Sequence, residues 1–210
     1  MLLKIDTRYL LILFNSVKKQ FHKLLKKKHK MKKILAFAGS TSSTSINKQL
    51  ATFAAKSLQQ TTFDIIDLKD LTLPIYSEDE EKENGFPEDI LQFSKSLDTY
   101  DGFIVSLAEH NGTYTAAFKN IFDWVSRLNV KVFRDKPLLL MAASPGGMGG
   151  KFVLEAASQR FPRQGTTSIT TFSFPNFYDN FKEFKIINED LLLDFKTKVQ
   201  LFENKVNNIK

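Results

Sequence analysis

The feature that most constrains the fold of this 210-residue chain is an alternation of two periodicities that starts at residue 34 and continues almost to the end. Short β-rich runs at 34–38 (ILAFA), 63–68 (FDIIDL), 102–107 (GFIVSL), 136–144 (KPLLLMAAS) and 168–173 (SITTFS) alternate with stretches of helical spacing. Ile46, Leu50, Phe53, Ala54 and Leu58 mark the first of these, and Ile90, Leu91, Ser94 and Leu97 the second. Further helices are expected at 115–128, 150–161 and 188–206. Strands that are apolar throughout are buried on both faces, and strands separated by helices form a parallel sheet covered on both sides. The acidic run at 77–85 (SEDEEKENG) reads as an exposed loop with a solvated surface. In an open sheet of this kind ligands bind beyond the carboxyl ends of the strands, where the strand order reverses. The loops after the first, third and fourth strands are therefore where function is to be sought.

The formal charge of +7 suggests a polyanionic partner, but its distribution argues against one. Residues 1–30 carry nine Lys or Arg and one acid, leaving 21 bases against 22 acids in the rest. The body gives no electrostatic footprint for nucleic acid. There are no cysteines, so disulfides and thiolate chemistry are excluded; the composition fits a reducing compartment, and a cytoplasmic location is expected. With three His, two of them in the leader (His22 and His29), no metal site is expected. No run approaches the ~18 apolar residues of a membrane helix, and no stable membrane insertion is expected. Within residues 1–30, Val17, Phe21, Leu24 and Leu25 form the apolar stripe of a basic amphipathic helix. The expected organisation is an extension over 1–30, mobile or arising from a misplaced start, and one domain over 31–210.

The first strand runs directly into GSTSSTSIN, with six Ser or Thr between Ser40 and Ser45. A strand-to-helix turn presents free backbone N–H groups, and the helix dipole adds partial positive charge, so this is an anion site. One N-cap would account for one hydroxyl. The loop lacks the Gly-Lys-Ser/Thr of a nucleotide P-loop and the three glycines of a dinucleotide fingerprint, which favours a single phosphate monoester. After the third strand, AEHNGTYTAAFKNIFDW places Glu109, His110, Asn111 and Thr113 where they could line a planar heterocycle. After the fourth, SPGGMGG permits close backbone approach to a ligand.

Taken in order, these three segments resemble the NADPH-dependent FMN reductase family of the flavodoxin-like superfamily. GSTSSTSIN is similar to its Gly-Ser-x-Arg-x-x-Ser-x-Asn loop. AEHNGTYTAAFKNIFDW is similar to Pro-Glu-Tyr-Asn-x-Ser leading into Lys-Asn-x-x-Asp-Trp, and SPGGMGG to Ser-x-Gly-Gly-x-Gly-Gly. The resemblance implies a three-layer α/β sandwich with a five-stranded parallel sheet of order 2-1-3-4-5, binding FMN non-covalently. It implies that Ser40, Ser42, Ser45, Ile46 and Asn47 hold the phosphate. Ala108, Glu109, His110, Asn111 and Thr113 would border the isoalloxazine ring, with Ser144, Gly146 and Gly147 on its other edge. Three positions depart from the pattern: Ser42 replaces the loop's Arg, Ala108 its Pro and His110 its Tyr. Losing the Arg removes a charge-assisted contact.

The activity implied is hydride transfer from NADPH or NADH to FMN and on to a small-molecule acceptor such as a quinone, an azo compound or a flavin. No side chain need be catalytic, because the cofactor carries the chemistry. The competing readings are a flavodoxin-like electron carrier and a non-catalytic sensory or scaffolding flavoprotein. The helix after the third strand carries two apolar stripes, Ala117/Ile121/Trp124/Val125/Leu128 and Tyr114/Phe118/Phe122. The second stripe predicts a homodimer or homotetramer with Phe118 and Phe122 in the interface, unless the Phe-rich segment 172–181 of the same chain covers them.

Overall fold

A computed structural model describes residues 31–208. The expected leader helix, with Val17, Phe21, Leu24 and Leu25, lies outside the described residues. From the N-terminal side the elements are β1 (Lys33–Gly39), α1 (Ile46–Lys56), β2 (Thr62–Ile65), a 3-10 turn (Leu68–Asp70), α2 (Glu78–Asn84), α3 (Glu88–Leu97) and β3 (Gly102–Leu107). Then come β4 (Glu109–His110), β5 (Thr113–Tyr114), α4 (Ala116–Leu128), β6 (Lys136–Ala143), α5 (Lys151–Arg160), a second 3-10 turn (Phe161–Gln164) and β7 (Thr166–Phe174). The chain closes with α6 (Phe177–Asn180), β8 (Phe181–Lys182), β9 (Lys185–Ile186) and α7 (Glu189–Asn207).

Five strands form one parallel sheet of order β2-β1-β3-β6-β7. Counting only the strands of this sheet, that is the order 2-1-3-4-5 expected from the resemblance. The period-two alternation of each strand feeds two cores. Leu35, Phe37, Phe103, Val105, Leu138 and Leu140 pack beneath α3, α4 and α5. Ile34, Ala36, Ile104, Leu139 and Met141 pack beneath α1 and α7. The order reverses between β1 and β3, so the loops at residues 40–45 and 108–115 flank the switch point.

Two expectations need correction. Residues 77–85 are not a loop: Ser77 caps α2 by accepting from the N–H of Glu80, four acids occupy its first turn, and Gly85, at φ 72°, ends it. Acids are favoured at the positive end of a helix dipole, which offsets their mutual repulsion. Nor is the run wholly solvated, for Glu81 makes a two-pronged bond to Arg127 of α4, at 2.8 and 3.1 Å.

The second correction concerns Phe118 and Phe122. Both are buried within the chain. Their cover is Phe161 and Phe133, with Tyr114 against Phe118, at ring separations of 5.4–6.3 Å. The segment 172–181 does not provide it, because Phe172, Phe174, Phe177 and Phe181 belong to the core on the opposite face. The second stripe of α4 is therefore satisfied by the chain's own aromatics and no longer argues for an interface.

Candidate functional site

The hydroxyl-rich loop leaves β1 at Gly39, where a Cβ would lie 2.8 Å from the end of the Leu107 side chain and would have to displace it. Ser45 caps α1, its Oγ accepting from the N–H of Lys48 at 3.2 Å. The Oγ of Ser40 accepts from the N–H of Ser42 at 3.2 Å, and the Ser42 and Thr44 hydroxyls share a bond of 3.3 Å. A hydroxyl that accepts in this way keeps its own O–H to donate. Among the described residues, the backbone N–H groups of Ser43, Thr44, Ile46 and Asn47 have no hydrogen-bond partner. They are the free donors of a helix start, and the loop carrying them is exposed from Thr41 to Thr44.

Asn47 departs from expectation. Its side chain turns inward, is 2% exposed, and bonds through both its oxygen and its nitrogen. Its Oδ1 accepts from Ser106 Oγ and from the N–H of Ala143, both at 2.8 Å, and its Nδ2 donates to the carbonyl of Ala143 at 3.1 Å. One amide thus ties α1 to the ends of β3 and β6, leaving only its backbone N–H for a ligand. Ile46 is half-buried and packs on the α1/α7 core.

Behind β3 the chain makes a hairpin in which Glu109 faces Tyr114 and His110 faces Thr113. Asn111 and Gly112 form its two-residue turn, at φ 52° and 79°. A turn with two positive φ angles twists in the sense of the flanking strands, and Asn-Gly is one of the pairs that tolerate it. His110, Asn111 and Thr113 are exposed at the tip, whereas Ala108 and Glu109 are half-buried at its base. Thr115 caps α4 through the N–H of Phe118 and donates to the carbonyl of Gly39 at 2.9 Å. This hydroxyl joins the hairpin to the first loop.

The glycine-rich turn forms the far side. Ser144 Oγ donates to the carbonyl of Gly146 at 2.8 Å, and that carbonyl also accepts from the N–H of Asn176 at 3.0 Å. A Cβ at Gly146 would meet nothing within 4 Å, and one at Gly147 would meet only Asn176 Oδ1 at 3.9 Å, so the chain leaves open space above both.

The structure thus brings together all three predicted loops, with the Asn47 side chain turned away from them. Thr115 and Ser106 were not anticipated by sequence reasoning. Thr115 carries the signal of a helix start, but Ser106, inside an apolar strand, carries none. Lys48 and Asp67 were also missed. They form an ion pair at the end of β2, with Lys69 also 3.6 Å from the carboxylate. Burial works to raise the Asp67 carboxyl, yet the bonds from Lys48 and from the backbone of Lys69 outweigh it and hold the group below its ordinary value.

A family model described as NADPH-dependent FMN reductase matches residues 32–179. The chain is similar to a quinone reductase of Escherichia coli strain K12, 32% identical over 78 residues, 37% of this chain and 42% of that protein. It is likewise similar to an NAD(P)H-dependent FMN reductase of Pseudomonas aeruginosa, 32% identical over 85 residues, 40% of this chain and 45% of that one. The matches therefore span less than half the length of these curated relatives. Among solved structures, the flavoenzyme NAD(P)H:(acceptor) oxidoreductase FerB of Paracoccus denitrificans superposes with a TM-score of 0.67 at 20% identity, covering 84% of this chain and 98% of FerB. That likeness shows the flavodoxin-like fold.

Proposed function

We propose that this chain, which belongs to the NADPH-dependent FMN reductase family, is an FMN-dependent oxidoreductase that takes hydride from NADPH or NADH and passes electrons to a quinone, an azo compound or a flavin. The observation that carries the reading is the start of α1: four unpartnered N–H groups and a ring of hydroxyls. The dipole adds about half a unit of positive charge there, and no acid in the first turn opposes it. These groups fit a phosphate monoester held by neutral donors, with Ser42 in the place where the family pattern has Arg.

In this reading Ser40, Ser42 and Ser45, with the backbone N–H groups of Ser43, Thr44, Ile46 and Asn47, hold the phosphate. Ala108, His110, Asn111 and Thr113 form one wall of the ring site, with Glu109 at its base, and Ser144, Gly146 and Gly147 form the other. When bound, the flavin supplies hydride acceptance from the nicotinamide and redelivery of electrons to the acceptor. The chain's part is orientation. Asn47 and Thr115 fix the floor, and the open space above Gly146 and Gly147 leaves room for a planar group. Residues 31–210 form the reductase domain, and residues 1–30 an extension that the chemistry does not use.

The protein is further proposed to work as a homodimer or homotetramer in the cytoplasm. The exposed Met148, Phe152 and Tyr178, each about half accessible or more, support a further contact near the glycine-rich turn. The absence of cysteine supports the location. No helix among the described residues is long and apolar enough to cross a membrane.

The test is steady-state oxidation of NADPH and NADH by FMN-loaded protein with and without benzoquinone. Turnover that requires both FMN and quinone is expected. An FMN-loaded protein that never oxidises either nucleotide would instead favour an electron carrier.

A further inference from the structure

The first turn of α5 is bare by construction. Its N-cap is Gly150, in the left-handed region at φ 73°, and a Cβ there would lie 2.5 Å from that of Ala142. No side chain can therefore cap the helix from its own N-cap, whereas α1, α4 and α7 are capped by Ser45, Thr115 and Asn188. The cap comes from another loop. Glu109 Oε2 accepts from the N–H of Val153 at 2.9 Å, across 44 residues of sequence. A carboxylate at this end of a helix both satisfies a free N–H and meets the dipole's positive charge.

Because Glu109 belongs to the hairpin after β3 and Val153 to the helix entered from the glycine-rich turn, this bond spans the two walls of the ring site. Among the described residues it is the one side-chain hydrogen bond between residues 108–115 and 144–153. We infer that Glu109 is a positioning residue: it clamps the hairpin to the start of α5, sets the width of the slot between them, and acts on the flavin ring through the walls rather than by touching it. An ionised carboxylate only accepts, and the N–H of Val153 holds one of its oxygens. This inference rests on the proposed flavin-binding reading.

Full-length protein with Glu109→Gln and Glu109→Ala is compared with the parent by titration with FMN and with riboflavin. Glu109→Ala is expected to weaken both by the same factor, at least about tenfold, the scale of a hydrogen bond to a charged group. Inorganic phosphate should compete with FMN with an unchanged inhibition constant. Glu109→Gln keeps an acceptor oxygen, and affinity should return to within about threefold of the parent, a rescue that direct charge recognition would not show. Amide exchange at Val153 supplies a readout independent of flavin: it should be faster in Glu109→Ala than in the parent and near parental in Glu109→Gln.

Parental FMN affinity in Glu109→Ala, or equal damage in both variants, would overturn the clamp. So would unchanged Val153 exchange. If the parent itself binds no FMN, the flavin reading fails, and the exchange measurement still decides whether the bond joins the two loops. Should Glu109→Ala not fold, Glu109→Asp, whose shorter arm falls short of Val153, takes its place under the same outcomes.

Discussion

Asn47 does its work inside the protein. Replacing it with Ala removes three hydrogen bonds and strands the Ser106 hydroxyl and both backbone groups of Ala143 in a buried site. Leaving buried polar groups unpaired costs about 1–3 kcal/mol each when no water reaches them. With partial relaxation, Asn47→Ala should lose about 2–4 kcal/mol in urea unfolding. The sequence showed an Asn in a donor-rich loop and could not show which way it turned, because its partners lie 59 and 96 residues away. Asp67 sets a pH dependence of definite sign. Its folded-state pKa lies below the ordinary value. The stability it contributes is therefore fully present above the unfolded value, about 3.9, and is lost as pH falls through the lower folded one. Acid unfolding of the parent should steepen below about pH 4, and Asp67→Asn should flatten that limb. An unchanged limb would remove Asp67 from the account.

At the level of elements, what decides the site is how closely helices meet strands. Gly150 combines a positive φ with a Cβ position already filled by Ala142. Gly150→Ala should cost about 2 kcal/mol or more, from left-handed strain and overpacking together, read as a fall in Tm. The five strands and the helices after them were legible because burial on both faces writes itself as unbroken apolar runs. The hairpin carried its own Asn-Gly signal. The acidic segment at 77–85 misled because charge density outweighed capping: Ser77 and Gly85 bracket a seven-residue helix that buries none of its residues. The 3-10 turn at Leu68–Asp70 shortened the expected second strand for a different reason. Asp67 turns back to accept from the N–H of Lys69 at 3.2 Å, ending the extended run.

For the whole molecule, the aromatic hub under α4 and α5 governs stability, and the three loops govern function. Phe161 is fully buried and lies within 4.8–6.2 Å of the rings of Phe133, Phe122, Tyr114 and Phe118. Phe161→Ala should cost about 3–5 kcal/mol. By the same packing Phe122→Asp should unfold the protomer rather than separate subunits, so its melting curve collapses before any assembly equilibrium is reached. A folded, merely dissociated Phe122→Asp would restore the interface that the stripe first suggested. FMN binding and reduction are read together from the visible absorption spectrum of the protein after FMN loading and dialysis, followed by anaerobic NADPH. Flavin bands that survive dialysis and bleach with NADPH are expected. A protein left colourless by dialysis would show instead that the neutral donors at the start of α1 do not hold FMN without the Arg that Ser42 replaces.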